Sequence, residues 1–166
     1  NRMNLRPRWQ WIAQWAVVLL CVFALKLFYS TASANELRWI LAPTAALVEL
    51  VTGRSFSFEP YAGYISDDRS FLIASSCAGV NFMITSFLML SGRKLLNSHT
   101  RRNAWLFIPA AGGIAYLVTL VANTTRISLA LRLRPANISW LAPDQIHRFE
   151  GIVVYFIFLL LLFELN

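Results

Sequence analysis

Cys77, Arg126 and His147 are the residues of this chain best suited to chemistry: a thiol, a permanent cation and an imidazole. A thiol is a weak nucleophile until it ionises, and a nearby cation or imidazolium favours the thiolate. His147 then fits the base or ion-pair partner, and the same ring can protonate a leaving amine because imidazole titrates near neutral pH. Arg126 carries a fork of donors that suits a developing oxyanion or a carboxylate. Apolar surroundings work against an ionised Cys77, so a cation at hand is a requirement of this chemistry.

The neighbours of the three residues differ from their plain counterparts elsewhere in the chain. Cys77 sits in Ser75-Ser76-Cys77-Ala78-Gly79, with Asn81 just beyond, whereas Cys21 lies in an apolar run and reads as packing. Gly79 allows a backbone or a substrate to approach closely. Arg126 ends Asn123-Thr124-Thr125-Arg126, which is more polar than a headgroup anchor needs, and His99 lies in a basic stretch where it reads as an ordinary surface residue. Asn81 and Asn123 are candidates for orienting the reacting groups. Two Cys and two His without ligand spacing offer no metal site and no disulfide. There is no Gly-rich phosphate loop and no Gly-x-Ser-x-Gly elbow, so no cofactor is expected.

The elements that must carry these residues are membrane helices. Of the 166 residues 57% are hydrophobic and the mean hydropathy is +0.54, above the roughly 45–50% apolar content of soluble domains. No linker, repeat or low-complexity tract divides the chain, so residues 1–166 read as a single membrane domain. Four stretches approach the roughly 20 apolar residues that a crossing needs: 11–29, 71–92, 105–125 and 146–165. The first contains Lys26, whose stem can extend toward the nearer headgroups. A fifth stretch, 37–51, is interrupted by Arg38, Pro43 and Glu49. The expected fold class is therefore all-α: a polytopic helix bundle with about four full spans plus an interfacial or re-entrant helix.

Charge sets the orientation. Arg2, Arg6 and Arg8 precede the first span, and Arg93, Lys94, Arg101 and Arg102 follow the second, with no acid among them, so both stretches and both termini are expected to be cytoplasmic. Everything from about Ser30 to Ser70 then lies outside, which makes 37–51 extracytoplasmic and Phe56 to Asp68 a short extended or turn-rich segment above the bilayer. The segment from Arg126 to Glu150, with more Arg than acid, runs against the rule. The net charge of +7 sits in clusters that flank spans, which calls for lipid headgroups as partners and for no nucleic acid.

Parity places the three residues together. Cys77 lies six residues into a span entering from the outer face, about 9 Å below its start. Arg126 follows the next span as it emerges, and His147 opens the last span on its way back. Antiparallel helices joined by short connections are usually neighbours, so all three converge at the outer membrane boundary. Ionisable groups at membrane depth are expensive and tend to be functional.

Three patterns, Ser76-Cys77-Ala78-Gly79-Val80-Asn81, Asn123-Thr124-Thr125-Arg126 and His147-Arg148-Phe149-Glu150-Gly151, resemble the Cys, Arg and His motifs of the exosortase/archaeosortase family, in the same order and at span ends. The short chain is most similar to the compact exosortase K branch. The resemblance covers residues from about Phe71 to the C-terminus. It implies a cysteine transpeptidase or protease of the bacterial inner membrane with its active site facing the periplasm. Its partners would be membrane-anchored proteins with a C-terminal sorting signal, and an unidentified acceptor nucleophile. A second class fits the same residues: a non-enzymatic membrane scaffold or small transporter subunit whose outer polar groups bind a partner or an anionic solute.

Overall fold

The computed structural model describes residues 8–96, 104–133 and 143–165, with the side chains of 9–96, 105–132 and 151–165; 77% of the described residues are helical. The order is α1 (Arg8–Thr31), α2 (Arg38–Thr52), β1 (Phe56–Glu59), β2 (Gly63–Ser66), β3 (Leu72–Ile73), a 3-10 turn (Ser75–Cys77), α3 (Val80–Leu96), α4 (Ala104–Leu133) and α5 (Pro143–Leu165). Among the described residues, three helical stretches are long and apolar enough to cross a bilayer: Trp9–Thr31, Ser75–Leu96 and Trp105–Arg132. Gly151–Leu165 is a shorter apolar stretch. Arg2, Arg6, His99, Arg101 and Arg102 lie outside the described residues.

Helix α3 packs against α1, α4 and α5, and α4 packs against all four other helices. The α4 face that meets α3 carries Ala111, Ala115, Thr119 and Ala122, all fully buried, and such small side chains let backbones approach closely where lipid supplies no hydrophobic drive. The opposite faces expose large apolar residues, including Phe23 on α1, Leu117 on α4 and Phe156 on α5. A surface of that kind is stable against acyl chains and not against water.

Helix α2 packs on α4 through Ile40, Leu41, Thr44, Ala45 and Val48, a stripe at helical spacing. Pro43 within it removes the N–H that would bond the Trp39 carbonyl. The Tyr116 hydroxyl of α4 donates to that carbonyl instead, at 2.8 Å, with its ring stacked on Trp39 at 5.8 Å. One residue thus repairs the break and fixes α2 to α4. The helix ends at Gly53, in the left-handed conformation with its N–H bonded to Glu49 O.

Between α2 and α3 the chain forms an antiparallel meander in the order β1-β2-β3, a small sheet added to an otherwise helical fold. The Glu49 carboxylate accepts the Phe56 N–H at 2.6 Å and aligns the first strand with α2. The turn after β2 is closed by Asp68, which accepts from Ser66 Oγ at 2.6 Å, Ser70 Oγ at 2.8 Å and Ser70 N–H at 3.1 Å. These bonds, with a smaller contribution from Arg54, hold the Asp68 carboxyl below its usual 3.8, at about 2. A lowered folded-state value stabilises the turn fully above about pH 4 and is lost as pH falls through about 2. Amide exchange at Ser70 should therefore stay slow at pH 4 and quicken near pH 2, a step that Asp68→Asn should remove.

The structure corrects two expectations. A helix was expected from Phe71, but Leu72 and Ile73 pair with Ile65 and Tyr64, and α3 begins only at Val80. The apolar run is continuous, yet Gly79 at φ 69° interrupts any helix there. Cys77 therefore precedes α3 and is not buried two turns down a span. Helix α4 also continues past Thr125 to Leu133, carried by Ile127, Leu129, Ala130 and Leu131, so Arg126 lies within a helix and not beyond its end. Lys26 donates to Asn81 Oδ1 of α3.

Candidate active site

The Cys77 turn is a break between strand and helix. Ala74 is extended, the Cys77 N–H bonds Ala74 O at 2.8 Å, and Ala78 N–H bonds Ser75 O at 3.1 Å. Met83 N–H then bonds Gly79 O at 3.0 Å as α3 begins. Cys77 thus lies just ahead of a helix N-terminus, whose unpaired N–H groups favour negative charge. It is 6% exposed. Irregular backbone at membrane depth must be satisfied by protein. Here the Asn123 Nδ2 of α4 donates to the Cys77 carbonyl, and the Tyr29 hydroxyl of α1 reaches Ser75 O at a long 3.4 Å.

From Asn123 the hydrogen bonds continue to the cation. The Tyr155 hydroxyl of α5 donates to Asn123 Oδ1 at 2.8 Å and accepts from Arg126 Nη1 at 3.2 Å. The guanidinium also lies over the Tyr155 ring, 5.6 Å from its centre, and the Tyr155 ring stacks on Phe82 of α3 at 4.7 Å. Three hydrogen bonds therefore join the Cys77 backbone, Asn123, Tyr155 and Arg126 across the Cys77 turn, α4 and α5. The Cys77 backbone is thus two side chains, Asn123 and Tyr155, away from the Arg126 guanidinium. Asn123 and Arg126 continue the α4 face that Ala115 and Thr119 begin, so the packing stripe becomes the chemical stripe toward the C-terminal end of α4.

Two glycines make room. A Cβ at Gly79 would stand 3.2 Å from both Thr119 Cγ2 and the Tyr155 hydroxyl, and 3.3 Å from Asn123 Cγ. A Cβ at Gly151 would stand 2.9 Å from Arg126 Nε. Gly151 and Tyr155 are four residues apart on α5, and position 147 is four residues earlier on the same helix, about 6 Å further along its axis. The His147 backbone is thus in register with the face that meets Arg126, while its side chain lies outside the described residues.

Of the other expected residues, Asn123 and Gly79 lie within the network. Asn81 does not: its Oδ1 accepts from Lys26 Nζ of α1 at 2.7 Å, on the exposed surface between α1 and α3. The sequence reading missed Tyr155 and Tyr29. The spacing His147, Gly151, Tyr155 was a signal for the first, since it marks one helical stripe. Among the described residues, no group of three His, Cys, Asp or Glu could hold a metal.

Chemically, a thiol at a helix N-terminus, a cation fixed from two sides and phenols between them suit attack on a carbonyl whose oxygen turns negative. The chain matches no protein-family model, no curated protein and no solved structure.

Proposed function

We propose that this chain is a membrane-embedded cysteine transpeptidase or protease that cleaves a C-terminal sorting signal at the outer face of a bacterial inner membrane, with α5 as the fourth crossing. The observation that carries the reading is the hydrogen-bond chain from the Cys77 turn through Asn123 and Tyr155 to Arg126. The resemblance of the three motifs to exosortases supplies the substrate class.

In the proposed reaction the Cys77 thiol gives its proton to His147, and the thiolate sulfur bonds to the carbonyl carbon of the scissile peptide. The carbonyl electron pair moves onto oxygen, where Arg126 stabilises it. Collapse of the tetrahedral species breaks the C–N bond, and the His147 imidazolium returns the proton to the departing amine. The resulting thioester is resolved by an acceptor amine or hydroxyl, or by water in a protease, which restores the thiol. Asn123 and Tyr155 act by position: one fixes the Cys77 backbone, the other fixes Arg126.

The test is to trap the thioester. The full chain is co-expressed with a protein ending in a recognition motif, a hydrophobic helix and a basic tail, then quenched in acid and analysed by intact mass. An adduct on Cys77 that hydroxylamine releases is the expected result, with processing lost in Cys77→Ala. Undiminished processing by that variant refutes thiol chemistry at Cys77.

A further inference from the structure

Lys26 is a charge on the lipid-facing side of α1, and the site described above does not use it. Its ammonium has three N–H donors. One goes to Asn81 Oδ1 at 2.7 Å, and the ammonium lies 5.9 Å from the Tyr29 ring centre. The Asn81 amide nitrogen adds two more donors beside it, at the first turn of α3. Both residues are exposed, so the pair presents N–H groups to whatever lies outside the bundle.

That exterior has a definite chemistry. Lys26 is five residues from the end of α1 at Thr31, about 8 Å below it, and the lysine stem covers most of that distance. On the membrane reading, the ammonium, held beside the first turn of α3 by Asn81, is close to the level where hydrocarbon gives way to phosphate. Toward the bilayer centre the same α1 face continues as Phe23 and Leu19, both exposed and apolar. A cluster of donors above an apolar strip matches a phosphodiester with an acyl chain hanging from it. Water meets only the donors, and a free anion has no use for the strip.

Resting on the membrane reading above, we infer that Lys26 and Asn81 form a binding site for the phosphodiester of a phospholipid in the leaflet on the Cys77 side, its acyl chain lying along Phe23 and Leu19. The lipid would sit on the Tyr29 side of the Cys77 turn, so its occupancy bears on how a membrane-held substrate reaches the thiol.

Native mass spectrometry of the full chain in detergent tests this. The probes are dioleoyl phosphatidylglycerol, diacylglycerol with the same chains, and glycerol phosphate. Phosphatidylglycerol should bind the wild-type chain, and the other two should bind at least about tenfold more weakly. Lys26→Gln and Asn81→Ala should each weaken phosphatidylglycerol by a similar factor, and Lys26→Arg should retain it. Equal binding by Lys26→Gln, or diacylglycerol matching phosphatidylglycerol, overturns the site. Recovery of the wild-type chain in the soluble fraction without detergent overturns the membrane placement itself, and loss of Cys77 processing bears on neither.

Discussion

Replacing Arg126 with Gln is expected to slow processing of a sorting-signal substrate by about 10²–10³-fold, the usual loss when one donor to a developing oxyanion is removed. The fold should survive, because the bond that closes the Cys77 turn comes from Asn123, and Asn123 keeps its partner in the Tyr155 hydroxyl. Arg126 is held by that hydroxyl and by the face of its ring, and it lies close against α5 where Gly151 leaves room. Arg126→Lys should recover only part of the rate: an ammonium restores charge but not the planar fork that can hold Tyr155 and the substrate together. Processing followed over time in both variants, beside their melting temperatures in detergent, checks this. A wild-type rate in Arg126→Gln would remove the cation from the mechanism, while a fall in rate matched by a fall in melting temperature would make its role structural.

The second large effect is expected at Gly79. Alanine there must adopt φ 69° and must also fit a methyl group within 3.2–3.3 Å of Thr119, Tyr155 and Asn123. Backbone strain of this kind costs about 1 kcal/mol or more, and overpacking typically adds about 1–3 kcal/mol. Gly53 supplies the control, since it has the same φ of 69° and nothing within 4 Å of its added Cβ. Gly53→Ala should therefore show the strain alone, and the difference between the two variants measures the crowding around the site. Gly79→Ala should also lose processing, since the methyl group pushes on both Asn123 and Tyr155, whereas Gly53→Ala should keep it. Equal destabilisation by the two would mean that α4 and α5 yield easily at this point.

The apolar runs made α1 and α4 legible as helices long and apolar enough to cross a bilayer. The start of α3 was not. Phe71, Leu72 and Ile73 are as apolar as a helix start, and only their pairing with β2, a long-range choice, makes them strand. Arg126 was misplaced for a related reason: a charge usually ends a span, but this one faces protein rather than lipid. Cys77, Arg126 and Asn123 stood out by type and neighbours, and the structure brings them to one network. Tyr155 did not stand out, since in Val-Val-Tyr-Phe-Ile it reads as one more bulky residue and its hydroxyl matters only once Asn123 and Arg126 are beside it. Asn81 stood out for the wrong partner; Lys26 claims it from α1.

The single amide of Asn123 does two jobs: it satisfies the carbonyl left bare where the chain breaks at Cys77, and through its oxygen it anchors Tyr155. Durability and reactivity thus draw on one side chain. Directed selection for heat resistance should find improving substitutions along the lipid-facing surfaces of α1 and α5 but none at position 123, and any homologue with a different residue there would have to rebuild the Cys77 turn as well.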